Sequence, residues 1–164
     1  MSIIKTITVD DFYTKEEAIK ISNVVWSLPY QEHEFGKEID NFNMVPSEAN
    51  SMFSRVLNKQ VEVIEEESGV FRIPHLFIHF EPCDFAFEWL FVVAIQESIF
   101  NIFEHQSGAK TALDGVKYNY RNLFEWDLMV NYILKPGQGI FFRPWLFHSF
   151  NQGIIQKFRL KECQ

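Results

Sequence analysis

The stretch FEWLFVVAIQESIFNIF, residues 87–103, decides the fold. It reads either as one long buried helix or as two β-strands. Its Val, Ile and Phe content and its lack of a helical apolar period favour two strands, EWLFVVAIQE and IFNIFEH. Working outward, the chain from about residue 61 keeps the same texture. VEVIEEE, FRIPHLFIHFE, WDLMVNYIL, GIFFRPWLFHSF and IIQKFRLKE are short apolar runs, and SG, SG, KPGQG and NQG supply turns between them. Short strands at this spacing, without helical patterns between them, predict an antiparallel sandwich or barrel.

The segment before Val61 differs. Thr14 with Glu17 three positions later forms a capping-box signal, followed by a roughly helical face of Ile19, Val24, Val25 and Leu28 with Ile21 beside it. Pro29 ends it. Ser47 is the expected N-cap of a second helix carrying Met52, Phe53, Val56 and Leu57. The polar segment between the helices, residues 31–45, reads as an exposed loop or short strand. The expected organisation is one domain over 1–164, mainly β, with a helical layer over 1–60 and a β core over 61–164.

Composition narrows the function. Hydrophobic residues make up 47% of the 164, too many for a disordered chain, and the 18 Phe suit a β-rich interior. A formal charge of −7 argues against nucleic acid as a partner. Cys83 and Cys163 are too few for a disulfide framework or a thiolate zinc site. The opening MSIIKTITVDDFY lacks the pattern of a secretory signal, and no apolar run is long enough for a membrane helix. A cytoplasmic location is expected, and sheet edges make a homodimer a further expectation.

Chemistry concentrates in two places. In IHFEPCDF, His79 and Glu81 stand two apart, and alternate residues of a strand project to one side. His148 lies much further along the chain, past three apolar segments, in PWLFHSF. Two imidazoles and one carboxylate on one face form a donor set suited to non-haem iron, with positions left open. After a glycine turn, IIQKFRL places Lys157 and Arg159 on one strand face. A guanidinium clamps a carboxylate in two-pronged fashion better than an ammonium does, so Arg159 ranks first as anion clamp and Lys157 second. The plainer reading stays open beside this one: His148 as a satisfied core histidine, and His79 and Glu81 as ordinary strand residues. His75 is an alternative ligand and Arg143 an alternative clamp. Glu104 and His105 read as a solvated rim, and Trp145 and the aromatic run 85–91 as packing.

These segments resemble the iron- and 2-oxoglutarate-dependent oxygenase superfamily, in particular its prolyl-hydroxylase-like branch. ITVDDFYTKEEAIKI is similar to the strand-and-helix entry of those enzymes. HFEPCDFAFEWLFVVAIQE is similar to their metal-binding strand end, and LKPGQGIFFRPWLFHSFNQGIIQKFRL to the strand pair bearing the distal histidine and the 2-oxoglutarate arginine. The resemblance implies a double-stranded β-helix, the cupin-like jelly roll. It implies Fe(II) on His79, Glu81 and His148, and 2-oxoglutarate as a small-molecule co-substrate on Arg159. The implied reaction is hydroxylation of a C–H bond in a substrate that the sequence does not name. Glu81 departs from the aspartate usual in that motif. The rival expectations are a non-catalytic jelly-roll binding or structural module, and a metal-dependent cupin enzyme that uses no 2-oxoglutarate.

Overall fold

In the computed structural model, which describes residues 5–33, 36–39, 46–72, 78–81, 88–112 and 116–163, the stretch in question forms two strands. Every residue of Trp89–Ala94 is buried. Such a strand has no polar face because both of its faces are covered, which is why its sequence reads as a continuous apolar run.

In chain order the strands are β1 (Ile7–Val9), β2 (Tyr30–His33), β3 (Gly36–Ile39), β4 (Val61–Arg72), β5 (Trp89–Ala94), β6 (Ser98–His105), β7 (Trp126–Leu134), β8 (Gly139–Phe142), β9 (His148–Asn151) and β10 (Ile154–Glu162). Two helices, α1 (Lys15–Trp26) and α2 (Ala49–Leu57), precede β4. Seven strands make one sheet in the order β1-β8-β5-β10-β4-β3-β2, and three make another in the order β7-β6-β9. The chain passes from one sheet to the other and back after β5, β7, β8 and β9. The result is mainly β and jelly-roll-like. The segment expected as a helical layer contributes β1, β2 and β3 to the larger sheet as well as the two helices. The polar segment expected as a loop or short strand supplies the β2–β3 hairpin.

The larger sheet separates two apolar layers. On one face Phe91, Val93, Phe141 and Phe158 meet Ala18, Ile21 and Val25 of α1 and Phe53 of α2. On the other, Leu90, Val92, Ile140, Phe142 and Ile155 meet Phe100, Ile102, Leu134 and Phe150 of the smaller sheet.

The helices follow their sequence signals with two corrections. Thr14 caps α1 as expected: its hydroxyl accepts from the Glu17 N–H at 3.1 Å, and the Glu17 carboxylate accepts from the Thr14 N–H at 2.8 Å. The buried stripe of α1, however, is Ala18, Ile21, Ser22 and Val25, while Ile19 and Val24 face solvent. Small Ala18 and Ser22 let the helix lie close to the sheet, which turns the larger side chains at 19 and 24 outward. Ser47 is not the cap of α2. That position falls to Glu48, without a side-chain hydrogen bond, because the Ala49 N–H is already taken by the Pro46 carbonyl at 2.9 Å in the preceding turn.

The KPGQG turn holds the entry segment. The Gly137 carbonyl accepts from the N–H groups of Phe12 and Tyr13 at 3.0 and 3.2 Å. Gly137 has φ +91°, and a side chain there would collide with the Tyr13 carbonyl.

Phe53 is fully buried, its ring centroid 4.9 Å from Phe91, 5.5 Å from Phe158 and 5.6 Å from both Phe12 and Phe141. Phe53→Ala should therefore destabilise the protein by about 3–5 kcal/mol. Urea unfolding followed by far-UV circular dichroism would measure it; a loss below about 1 kcal/mol would mean that α2 is not anchored through this ring.

Candidate metal and anion site

His79 and His148 face each other across one antiparallel bridge, in which each residue's N–H donates to the other's carbonyl at 2.9 Å. Residues directly opposite in such a pair project to the same face. Their rings consequently lie side by side, with centroids 4.3 Å apart. Glu81 is two residues beyond His79, and its N–H donates to the Pro144 carbonyl at 2.8 Å, which keeps that segment against the chain leading into β9. One ligand atom from each of His79, Glu81 and His148 lies within 4.8 Å of the others.

Residues Phe142, Phe150 and Phe100 surround His148, at centroid distances of 4.7, 6.1 and 6.4 Å. Its Nδ1 lies 2.7 Å from the Leu146 carbonyl. A carbonyl can only accept, so Nδ1 carries the proton and Nε2 presents a lone pair. That Nε2 is buried and has no hydrogen-bond partner among the described residues. A buried acceptor left unpaired is destabilising, and it is the feature a metal ligand needs before its ion arrives. Burial among the phenyl rings pushes the imidazolium down from 6.5 to about 4; the Leu146 hydrogen bond opposes this and the charge of Lys157 adds to it. At neutral pH His148 is the neutral, ligand-competent form. The donor set, the convergence and the orphaned Nε2 all fit a divalent ion.

Of the three basic residues of β10, Lys157 and Arg159 point into the layer between the sheets, on the same parity as Ile155, while Lys161 pairs with Glu62 at the exposed end of the strand. The Lys157 ammonium donates to Glu81 Oε1 at 2.8 Å and lies 5.0 Å from the Phe71 ring. Arg159 donates to Glu88 Oε2 from Nη2 at 2.7 Å and from Nε at 3.2 Å, and its Nη1 is 3.9 Å from Glu81 Oε2. A bulge lies alongside: β10 pairs Lys157 with Gly69 but Arg159 with Ile64. The Arg159 N–H is satisfied instead by the Ser68 hydroxyl at 3.1 Å. The extra residues of this bulge stand on β4, while β10 keeps a regular ladder against β5.

The other candidates separate clearly. Arg143 stacks 3.7 Å over the Trp89 ring and donates to the Glu88 carbonyl at 2.7 Å, so it braces the strand that carries Glu88. Trp145 packs against the layer between the sheets and lies 5.3 Å from the Arg143 guanidinium. Glu104 and His105 meet Lys110 and Glu125 at 3.8 and 3.5 Å on the rim. His75, Cys83 and residues 85–87 lie outside the described residues. Sequence reasoning missed Glu88. The signal was available: Glu88 shares its parity with Leu90 and Val92, and Leu90 pairs with Arg159, which makes Glu88 a diagonal neighbour of the guanidinium on the inner face.

No family model and no curated protein sequence matches the chain. Among solved structures it is similar to HygX from Streptomyces hygroscopicus with nickel and 2-oxoglutarate bound, at TM-score 0.58 and 9% identity, covering 97% of this chain and 83% of HygX. HygX with nickel, 2-oxoglutarate and hygromycin B bound matches at TM-score 0.57 with the same identity and coverage. At that identity the likeness is one of fold alone. Among the described residues no helix is long and apolar enough to cross a membrane.

The state of His148 sets a pH dependence. The unfolded chain takes up this proton near 6.5 and the folded protein only near 4. The contribution is therefore complete above about pH 6.5 and is lost as pH falls toward about 4. In metal-free protein, His148→Phe should flatten the fall in unfolding free energy between those limits. Urea midpoints at a series of pH values would test this; an unchanged slope would show that His148 is protonated in the fold.

Proposed function

We propose that the protein is an Fe(II)- and 2-oxoglutarate-dependent dioxygenase that hydroxylates a C–H bond. In this reading the two sheets form a double-stranded β-helix, and His79, Glu81 and His148 hold the metal. The observation that carries it is the convergence of His148 with His79 and Glu81, the buried Nε2 of His148 having no hydrogen-bond partner among the described residues. The fold shared with HygX supports the choice of 2-oxoglutarate as co-substrate. The chemistry a bound iron supplies is oxygen activation, which couples oxidation of 2-oxoglutarate to succinate and carbon dioxide with hydroxylation of the substrate.

The chain's own part is orientation and exclusion of water. The Leu146 carbonyl fixes the His148 tautomer, and the phenyl rings keep the inner ligand dry. Arg159 holds the distal carboxylate of 2-oxoglutarate through charge-assisted hydrogen bonds, which requires Glu88 to share or yield the guanidinium. That pairing also favours a second reading, a metal-dependent jelly-roll enzyme without 2-oxoglutarate, because Lys157 and Arg159 both already have carboxylate partners within the chain.

Calorimetric titration of 2-oxoglutarate into the Fe(II)- or Mn(II)-loaded protein separates the two. Arg159→Ala should weaken 2-oxoglutarate by at least about tenfold, or roughly 1.4 kcal/mol, and change metal affinity little. His148→Ala should abolish metal binding and 2-oxoglutarate binding with it. Metal binding without any 2-oxoglutarate binding or succinate formation would leave the second reading in place.

A further inference from the structure

Among the described residues, the charged side chains beside the metal ligands already balance one another. Lys157 and Glu81 form one pair at 2.8 Å, and Arg159 and Glu88 another at 2.7 Å. All four side chains are largely buried, with 9–16% of their surface exposed. The two histidines add no charge when neutral. A divalent ion entering this group brings two positive charges that these four side chains do not offset, beside an ammonium bonded to the one anionic ligand. Charges this close in a partly buried site interact far more strongly than on a surface.

We infer that Lys157 is a place-holder cation: it neutralises Glu81 in the metal-free protein and opposes a metal that arrives alone, so that metal and an anionic co-ligand bind together. The inference rests on the metal reading above and specifies the role of a residue that the sequence marked only as a reserve clamp. Lys157 acts here through Glu81, as a residue that tunes a ligand.

The alternative is that Lys157 merely steers Glu81 toward the histidines, in which case its loss would weaken metal binding. Two observations favour opposition over support. Glu81 is already confined, being buried and tied through its N–H to Pro144. The Arg159 Nη1, 3.9 Å from Glu81 Oε2, can hold the carboxylate without Lys157.

Linkage makes the coupling reciprocal: if an anion lifts the penalty on the metal, the metal lifts the penalty on the anion by the same factor. The test is calorimetric titration of Mn(II) into metal-free protein, with and without saturating 2-oxoglutarate, for the unmodified chain, Lys157→Met and Lys157→Arg. Lys157→Met should bind Mn(II) alone about tenfold more tightly than the unmodified protein, within the usual range of coupling between sites. The tightening produced by 2-oxoglutarate should shrink by a comparable factor, and Lys157→Arg should behave as the unmodified chain does. If Lys157→Met does not fold, Lys157→Gln removes the charge while leaving Glu81 a donor. Unchanged or weaker Mn(II) binding in the neutral variants would overturn the inference and make Lys157 a support for Glu81. Absence of Mn(II) binding in every protein, with and without 2-oxoglutarate, would instead overturn the metal reading itself.

Discussion

Two backbone hydrogen bonds, His79 to His148 and back, each 2.9 Å long, fix the arrangement on which the site depends. They set a register, and a register assigns faces. A slip of one residue would turn His79 and Glu81 away from the interior and put Ile78 and Phe80 in their place. Ile78 and Phe80 instead join Phe103, Trp126 and Phe147 in an apolar cluster on the opposite side of that short segment. The same cluster that fills the outer face therefore enforces the inward direction of the ligands. Register, packing and donor convergence are one constraint seen at three scales.

The next consequence is electrostatic. A sheet interior lined by Leu90, Val92, Phe100 and Phe142 is a poor solvent for charge, and each carboxylate admitted there needs its own cation. β10 supplies both cations because Lys157 and Arg159 share a parity, and the bulge against β4 falls between them. β10 keeps a regular ladder against β5, pairing Lys157 with Val92 and Arg159 with Leu90, so its two inward cations stand at the ordinary two-residue spacing. The extra residues lie on β4, where the partner changes from Gly69 to Ile64 and Ser68 satisfies the Arg159 N–H.

What the sequence made legible follows from what was local. The capping box at Thr14 and Glu17 is a four-residue device and formed as read. The β5 and β6 strands were legible because Val, Ile and Phe suit a pleated surface and no helical stripe competed. The approach of His79, Glu81 and His148 was legible through the two-residue period, although the long stretch of chain between the two histidines gave no hint of their distance. Errors arose where partners came from elsewhere. The inward stripe of α1 was chosen by closeness to the sheet, which favours Ala18 and Ser22 over the more apolar Ile19 and Val24. Ser47 lost its cap where the Pro46 carbonyl had already taken the Ala49 N–H. Glu88 escaped notice because its meaning lies in the β5–β10 register.

The division of the interior explains how such a site is tolerated at all. An orphaned imidazole nitrogen and two nearly buried ion pairs subtract from stability, and a fold with one thin core would have little margin for them. Here the large sheet is covered on its other face by α1 and α2, where Phe12, Phe53, Phe91, Phe141 and Phe158 interlock without a polar ligand among them. β5, β8 and β10 belong to both layers: Phe91, Phe141 and Phe158 face the helices, while Leu90, Phe142 and Lys157 face the site. The aromatic layer thus holds rigid the very strands whose opposite faces carry the charged groups. The cost of the site is offset through a shared backbone, one residue away and on the other side of the sheet.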